Sequence, residues 1–358
     1  MSTSSETGTK VRLERKNVEE RYNKFIRKKI RYIILFFVIV LVIAGIAVVL
    51  GCFPLSVSEV YSIILHGLST QTLGDESVWL LRMPRIILAI LVGFGLAAAG
   101  TMMQGTLKNP LASPFTLGIA AGAAFGASLA LFLAQGAVVS EYLLIGCSFF
   151  FALIPTFIIM LLTRFRRATP ETMVLAGIGM LYLFGAFQGL VQFISSPTTV
   201  QAAVIFGVGT LARASWAQVI PAAIVLICFV PLLMWKAWDV NILAAGDEAA
   251  ESMGVNTART RVLVMLITTI LTAGLVCFTG TIGFIGLITP HICRMFMGGD
   301  NRFLIPVAGF FGAALLLGAD TVARTVVAPE SIPVGIVVSL IAGPLFLIML
   351  LSKKGGYL

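Results

Sequence analysis

The chain has 358 residues, of which 58% are hydrophobic and only 11% are charged, and its mean hydropathy is +1.01. A soluble domain carries about a quarter charged residues, so this composition excludes an ordinary soluble protein and indicates one embedded in a bilayer. The 25 Lys and Arg outnumber the 16 Asp and Glu and give a net charge of +9. Where these charges lie decides whether nucleic acid is a partner.

The N-terminal segment, residues 1–30, is polar and strongly basic. The apolar run that follows is long enough to span a membrane and has no small-residue cleavage site, so we expect an uncleaved anchor rather than a secretory signal. We therefore divide the chain into a basic cytoplasmic tail (1–30), a transmembrane domain (31–352) and a short C-terminal tail (353–358).

Nine uncharged windows are long enough to cross a bilayer core of about 30 Å, which needs about 20 helical residues. They are 32–58, 86–107, 109–140, 142–163, 172–212, 214–235, 262–293, 303–319 and 331–352.

The seventh window is too long for one straight helix, because 32 residues would extend about 48 Å. The glycine-rich sequence GTIGFIGLITPHICR (280–294) begins inside this window and ends at Arg294, the first charged residue after it. If the helix breaks near 280–283, Arg294, Arg302, Lys353 and Lys354 lie on the side of the basic tail, as positively charged residues prefer. We therefore predict ten transmembrane helices with both termini in the cytoplasm. The broken segment should lie inside the protein, where irregular backbone is tolerated.

This topology puts 21 of the 25 Lys and Arg on the cytoplasmic side. The exceptions are Arg82, Arg85, Arg213 and Arg324. The basic charge is thus explained by membrane topology, and we expect the lipid bilayer, not nucleic acid, as the partner of this charge.

Three glycines, Gly118, Gly122 and Gly126, lie on one face of the third span. Small residues at this spacing allow close contact between membrane helices, so we expect another helix to pack there.

The sequence has no phosphate-binding G-x-x-x-x-G-K-[ST] loop and no recognisable catalytic motif. Ionisable residues are almost absent from the spans, which argues against ion-coupled transport. If transport is active, another chain should hydrolyse the ATP, and this chain is not itself an enzyme.

The longest internal loop, 236–261, contains a short amphipathic helix after Asn241 that Gly254 should end as its C′ residue. It is either a docking helix for a cytosolic partner or a solvated connector.

Five motifs in this order resemble the FecCD family of ABC importer permeases, which includes permeases of the BtuC type. The motifs are LRMPR (81–85), QGTLKNPLASPFTLGIAAGAAFGA (104–127), GDEAAESMGV (246–255), GTIGFIGLITPHICR (280–294) and DTVARTVVAPESIPVGIVVSLIAGPLFLIMLL (320–351). The resemblance covers residues 35–352 and leaves the N-terminal tail unexplained.

The resemblance implies an all-α polytopic membrane protein of ten helices with the BtuC-like permease fold, in the cytoplasmic membrane. It also implies a homodimer, two cytosolic ATPase subunits and an extracytoplasmic substrate-binding protein. It implies no cofactor and no metal site in this chain, with ATP and magnesium bound by the partner ATPase.

Site residues follow from matching positions. Arg82, Arg85 and Arg324 resemble the outer arginines that meet acidic residues of the binding protein, and guanidinium groups can form bidentate pairs with carboxylates. The alternative is anchoring to lipid headgroups.

Positions in the loop 236–261 resemble the family's coupling helix, which sits in a groove of the ATPase. They are Glu248, Ala249, Ala250 and Gly254.

Asn109 and Leu111 match the inner gate, as does the turn at Thr169–Glu171, whose sequence departs from the family pattern. Gln188 and Gln192 either line the pathway or form interhelical hydrogen bonds. His291 has no second ligand residue nearby, so we expect packing or capping rather than metal binding.

The resemblance favours import of a ferric siderophore, with cobalamin, haem or molybdate as alternatives. Two rivals stay open: an ion-coupled secondary carrier, and a membrane receptor that does not transport.

Overall fold

The computed structural model describes residues 3–51, 55–67, 72–134, 140–165, 169–327 and 330–351. The predicted C-terminal tail, 353–358, lies outside these residues. Within them the chain forms helices and turns and no strand. The helices are α1 Thr3–Val49, α2 Val57–His66, α3 Leu73–Glu76, α4 Met83–Thr106, α5 Ile119–Leu133, α6 Glu141–Phe165, α7 Pro170–Phe193, α8 Pro197–Val208, α9 Trp216–Leu243, α10 Asp247–Ser252, α11 Thr257–Thr279, α12 Ile285–Met297, α13 Asn301–Thr325 and α14 Val334–Leu351. A π-helical turn, Ser77–Arg82, joins α3 to α4.

Seven helical segments in the described part of the chain are long and apolar enough to cross a membrane, and four further apolar helices are shorter. The long segments are Asn23–Val49 of α1, α3–α4 together with the π-helical turn, α6, α7, α9, α11 and α13. The short helices are α5, α8, α12 and α14. The chain is therefore an all-helical, multi-span membrane protein.

Three of the long helices form the centre of the fold. The apolar windows of α4, α11 and α13 are 78%, 67% and 67% buried, whereas those of α1 and α7 are only 17% buried. Helices buried on all sides make a core, and helices with an exposed apolar face meet lipid or a partner. α7 and α1 are thus peripheral.

The predicted break in the seventh window is confirmed. α11 ends at Thr279, α12 begins at Ile285, and Gly280 adopts the left-handed backbone conformation that glycine favours (φ 73°). The break is buried: the peptide N–H of Thr210 donates to the Thr279 carbonyl (2.8 Å), and that of Thr281 donates to the Phe206 carbonyl (3.1 Å). The end of α8 thus supplies the hydrogen bonds that the broken helix lacks, as a bilayer interior requires.

Two other windows are interrupted where no break was predicted. The window 172–212 contains both α7 and α8, because Ser196 caps a new helix that has Pro197 at its first position. The window 109–140 begins with irregular backbone, and α5 starts only at Ile119. Each of these two windows is therefore longer than the helix that begins or ends in it, and the uncharged run alone does not indicate the helix boundaries.

The predicted glycine face is confirmed at two of its three positions. A Cβ atom on Gly122 or Gly126 would lie 2.3 or 2.4 Å from a carbonyl oxygen of α6, so these glycines allow the close contact of α5 with α6. Gly118 instead precedes α5 as its N-cap, with a left-handed φ of 79°.

The predicted division between tail and membrane domain falls inside a single helix, since α1 runs without interruption from Thr3 to Val49. Lys29, which is buried, lies 3.6 Å from the Asp300 carboxylate at the start of α13 and over the ring of Phe303. The end of the predicted tail is therefore packed against the membrane domain.

Candidate functional site

The two ends of the helical bundle carry different clusters of polar residues. The end at which α10 lies, here the α10 end, also contains the C-terminal end of α4 and the start of α11. The opposite end, the α2 end, contains the C-terminal ends of α1 and α13 and the start of α4. The predicted site residues divide between these two ends and α7.

α10 is a six-residue helix whose surface is mostly open. Glu248, Ala249 and Gly254, three of the four predicted coupling residues, are exposed, and so is Met253. Ala250 differs, because it is fully buried within its own chain. Its side chain therefore packs α10 against the bundle and is not available for a partner in this conformation.

The end of α10 has the predicted form. Gly254 has a left-handed φ of 84°, its N–H donates to the Glu251 carbonyl (2.9 Å), and the N–H of Val255 donates to the Ala250 carbonyl (3.0 Å). This pair of bonds is a Schellman motif with Gly254 as the C′ residue. The motif ends the helix at a defined residue.

The first residue of α10, Asp247, joins three parts of the chain, and the sequence prediction missed it. Its carboxylate accepts hydrogen bonds from the Lys108 ammonium group (2.8 Å) and from Nη2 of Arg261 (2.7 and 2.8 Å). The bonds from Lys108 and then Arg261 lower the pKa of Asp247 below its ordinary value, so the carboxylate is ionised at neutral pH. The sequence indicates Asp247 as an acidic residue at the start of a helix. It does not indicate its partners, because they are distant in the chain.

The predicted gate residues of the first loop follow Lys108 directly. The side chain of Asn109 accepts a hydrogen bond from the Leu111 N–H (2.8 Å) and so shapes the turn, while the Leu111 side chain is 48% exposed. Asn109 thus has a local structural role, and Leu111 presents an apolar side chain on the surface.

The second predicted gate, Thr169–Glu171, lies at the start of α7. Thr169 caps the helix through its side-chain oxygen, which accepts from the Thr172 N–H. Glu171 is exposed and lies within electrostatic range of Arg261 and Asp247. The structure therefore brings the second turn to the α10 end, close to the same ions as the first loop.

Gln188 and Gln192 lie on α7 and are both partly exposed. A Cβ atom on Gly207 would be 3.6 Å from Nε2 of Gln188, so this side chain lies beside α8. The contact suits either role predicted for Gln188.

The three predicted docking arginines meet at the α2 end, and all are largely buried. Arg82 donates through Nη1 to the carbonyl oxygens of Val48 (2.7 Å) and Val49 (2.9 Å), and Arg324 donates to that of Ala47 (2.5 Å). These carbonyls end α1 and have no partner within that helix. Two of the arginines therefore cap α1.

The third arginine, Arg85, forms a salt bridge with Asp320, which is fully buried. Nη2 of Arg85 lies 2.8 Å from Oδ1 of Asp320, and Nε lies 3.0 Å from both carboxylate oxygens. Arg324 is 3.8 Å from the same carboxylate. Asp320 thus supplies the counter-charge of Arg85 and lies near Arg324, and it was missed as a partner because 235 residues separate it from Arg85.

His291 lies on α12, with its ring centre 6.5 Å from that of Phe346 in an edge-on arrangement. This contact is the packing role that was expected. Among the residues the structure describes, no group of three or more His, Cys, Asp or Glu side chains is placed to hold a metal ion.

The family assignment follows from comparison with known proteins. The model of the FecCD transport family matches residues 33–352, nearly the whole chain. The chain belongs to the FecCD transport family. It is 41% identical to a protein of Methanocaldococcus jannaschii described as an ABC transporter permease, over 94% of this chain and 98% of the relative. It is 37% identical to the hemin transport system permease protein HmuU of Yersinia pestis, over 80% and 89%.

A solved structure shows the same fold as this FecCD chain. It is described as an ABC transporter of the metal-chelate type in an inward-facing conformation, and it is 28% identical. The TM-score is 0.80, and the match covers 90% of this chain and 99% of the solved chain. This FecCD chain is an ABC permease integral to the cytoplasmic membrane, as the sequence predicted.

Proposed function

We propose that this chain is the permease subunit of an ABC importer for a metal chelate, and that a partner subunit hydrolyses the ATP. The observation that carries the proposal is α10, a short helix between two long spans. Its C-terminal end is defined by the Schellman motif, and most of its surface is exposed. Glu248, Ala249 and Gly254 would contact the ATPase, which places the α10 end in the cytoplasm. ATP and magnesium would be bound by that partner.

The topology we propose has ten spans and both termini in the cytoplasm. The seven long apolar segments and α5, α12 and α14 provide ten crossings. α8 is not counted as a crossing, because it folds back beside α7 and its Gly207 lies next to Gln188. The helix pair α11–α12 supports this count, because its break gives the two crossings that the charge distribution requires.

The proposed assembly is a homodimer with two ATPase subunits and an extracytoplasmic binding protein at the α2 end. α7 supports the dimer, because most of its apolar surface is exposed and it carries two uncharged polar side chains. Arg82, Arg85 and Arg324 stay proposed docking residues. Their present partners are inside the chain, so docking needs either the exposed edge of Arg85, whose side chain is 14% exposed, or a rearrangement.

Transport would proceed by alternating access without chemical change of the cargo. The loaded binding protein docks on the outer face, ATP draws the ATPases together, and the coupling helices follow. The loops at Asn109–Leu111 and Thr169–Glu171 then change the opening of the inner end, and Gln188 and Gln192 line the pathway or join neighbouring helices.

The cargo we favour is a ferric siderophore. Relatives include an Fe(3+)-citrate import permease and an iron(3+)-hydroxamate import permease of Bacillus subtilis, each 34% identical. Haem and cobalamin are the alternatives that relatives support, through the hemin permease and a cobalamin import permease of Halobacterium salinarum. Molybdate is a further alternative from the sequence.

The test is reconstitution of the chain in lipid with its co-encoded ATPase, with and without the cognate binding protein. We expect the binding protein to stimulate ATP hydrolysis, and the double substitution Glu248→Arg/Gly254→Trp to abolish that stimulation by blocking the α10 surface. Uptake of a radiolabelled ferric hydroxamate, haem and cobalamin into the same vesicles then identifies the cargo.

A different result would support another class of protein. If no ATPase associates with the chain, and the chain alone moves cargo along an ion gradient, it is a secondary carrier. If the binding protein is captured without any uptake, it is a receptor.

A further inference from the structure

The ion cluster of Asp247, Lys108 and Arg261 joins the α10 helix to two other elements. Lys108 lies in the loop after α4, and Arg261 lies in the first part of α11. All three nitrogen–oxygen distances are 2.7–2.8 Å, which is the range of charge-assisted hydrogen bonds. Such bonds are more directional than apolar contacts, so they orient the three elements relative to one another. The Arg261 side chain is largely buried, whereas the side chains of Lys108 and Asp247 are 32% and 43% exposed, so their pair contributes direction more than stability.

Arg261 is paired directly with Asp247, whereas Glu171 lies only within electrostatic range of it. Arg261 is 5% exposed, and Asp247 is the carboxylate that its guanidinium contacts. A buried charge that loses its partner is strongly unfavourable. Asp247 therefore cannot move away from α11 without cost, and α10 and the start of α11 should move together.

Lys108 connects the same carboxylate to the loop 107–118, which contains the predicted gate residues Asn109 and Leu111. Its backbone has a φ of 48°, a left-handed conformation that few residues other than glycine adopt. Surrounding contacts must hold such a conformation in place. The next residue is Asn109, whose N–H donates to the Gln104 carbonyl (3.2 Å). A displacement of Lys108 is therefore transmitted to the predicted gate turn Asn109–Leu111.

The connection continues from the loop 107–118 to α12. Nε2 of Gln104 donates to the Leu287 carbonyl (3.0 Å), and its Oε1 accepts from Nη1 of Arg294 (3.1 Å). Gln104 is itself buried. A continuous series of polar contacts thus runs from α10, through the end of α4, to the helix that follows the break.

We propose that Asp247 is a positioning residue that transmits movement of α10 to the loop 107–118 through Lys108. This inference rests on the proposed function, since it needs an ATPase that moves α10. Asp247 does not form the surface that the ATPase contacts; that surface is Glu248, Ala249 and Gly254. The role of Asp247 is to make the loop 107–118 move when α10 moves.

The experiment uses the full chain assembled with its ATPase and binding protein in lipid vesicles, with Leu111→Cys as the reporter. The rate at which a water-soluble maleimide modifies this cysteine is compared without nucleotide and after trapping with ATP and vanadate. Labelling of the native cysteines, measured in the chain without the reporter, is subtracted. ATPase binding and ATP hydrolysis are measured on the same samples.

We expect the nucleotide-dependent change at the reporter to fall about fivefold in Asp247→Asn and in Lys108→Met, the lower end of the coupling typical between two sites, because the Lys108–Asp247 pair is partly exposed. ATPase binding and hydrolysis should persist in both variants. Asp247→Glu and Lys108→Arg should retain most of the change. The matched control is Asp239→Asn, which breaks a 2.7 Å ion pair with Lys236 that lies within α9 alone; it should leave the change unaltered.

Three outcomes would overturn the inference. Asp247→Asn could retain the full change, the reporter could fail to respond to nucleotide in the parent complex, or Asp247→Asn could lose ATPase binding and so prove to be a docking contact. Failure of the parent chain to bind any ATPase is a separate outcome, because it refutes the proposed function itself.

Discussion

Asp320 is the buried carboxylate around which two of the arginines at the α2 end lie. Its carboxylate is fully buried, forms a salt bridge with Arg85 and lies near Arg324, while Arg82 and Arg324 hold the end of α1. The sequence indicates the charges of these residues and their place at span ends. It does not indicate that they meet, because the partners are far apart in the chain and only the fold brings them together.

We predict that Asp320→Ala destabilises the chain, since it leaves Arg85, whose side chain is only 14% exposed, without its counter-charge. Removal of one partner from a buried ion pair costs about 3–5 kcal/mol. Thermal unfolding of the purified chain in detergent measures the effect. Asp239→Ala is the control, because its pair with Lys236 is more exposed and should contribute about 1 kcal/mol or less. Equal melting temperatures for the two variants would contradict the prediction.

The helices were predictable from the sequence to the extent that length and charge constrain them. The break at 280–284 could be found because an uncharged run of 32 residues is too long for one crossing and the positive charges on either side settle its topology. The break before α8 has no charge near it. Ser196 followed by Pro197 is a helix-start signal that could have revealed it, as Asn109-Pro110 and Ser113-Pro114 could have revealed the loop before α5.

The contact of α5 with α6 gives a prediction at this scale. Gly126→Leu should lower stability by about 1–3 kcal/mol, as expected for an overfilled interface, because its Cβ would already lie 2.4 Å from the Cys147 carbonyl. Gly146→Leu on α6 is the matched control, since no atom lies within 4 Å of the Cβ that it would carry. Thermal unfolding of both variants tests the difference, and a Gly126 variant as stable as the control would argue against close packing.

The whole molecule has two ends of different chemistry, and the sequence indicated most of this asymmetry. The distribution of Lys and Arg predicts the side on which each loop lies, and the motifs predict the family, which comparison with known proteins confirms. The identity of the cargo could not be predicted, because the same motifs are shared by permeases for different cargoes. The roles of the docking and coupling residues also depend on partner proteins, so they stay predictions.

Orientation in the membrane can be measured directly. We predict that Ser252→Cys on α10 reacts with a membrane-impermeant maleimide only after cells are permeabilised, whereas Ser58→Cys on α2 reacts in intact cells. Both side chains are exposed, and the side rich in Lys and Arg should face the cytoplasm. The chain with only its native cysteines is the control. The opposite pattern of labelling would contradict the proposed topology, because it would place the α10 surface outside the cytoplasm.

The capping of α1 by Arg324 has a consequence for how the chain is made. The two partners, Arg324 and the carbonyl of Ala47, are separated by 277 residues. Synthesis proceeds from the N-terminus, so α1 is inserted long before α13 leaves the ribosome. During that interval Arg82 can already bind the carbonyls of Val48 and Val49, but the carbonyl of Ala47 must rely on water or lipid headgroups for a hydrogen bond. The capping of α1 is therefore completed only after α13 has been made.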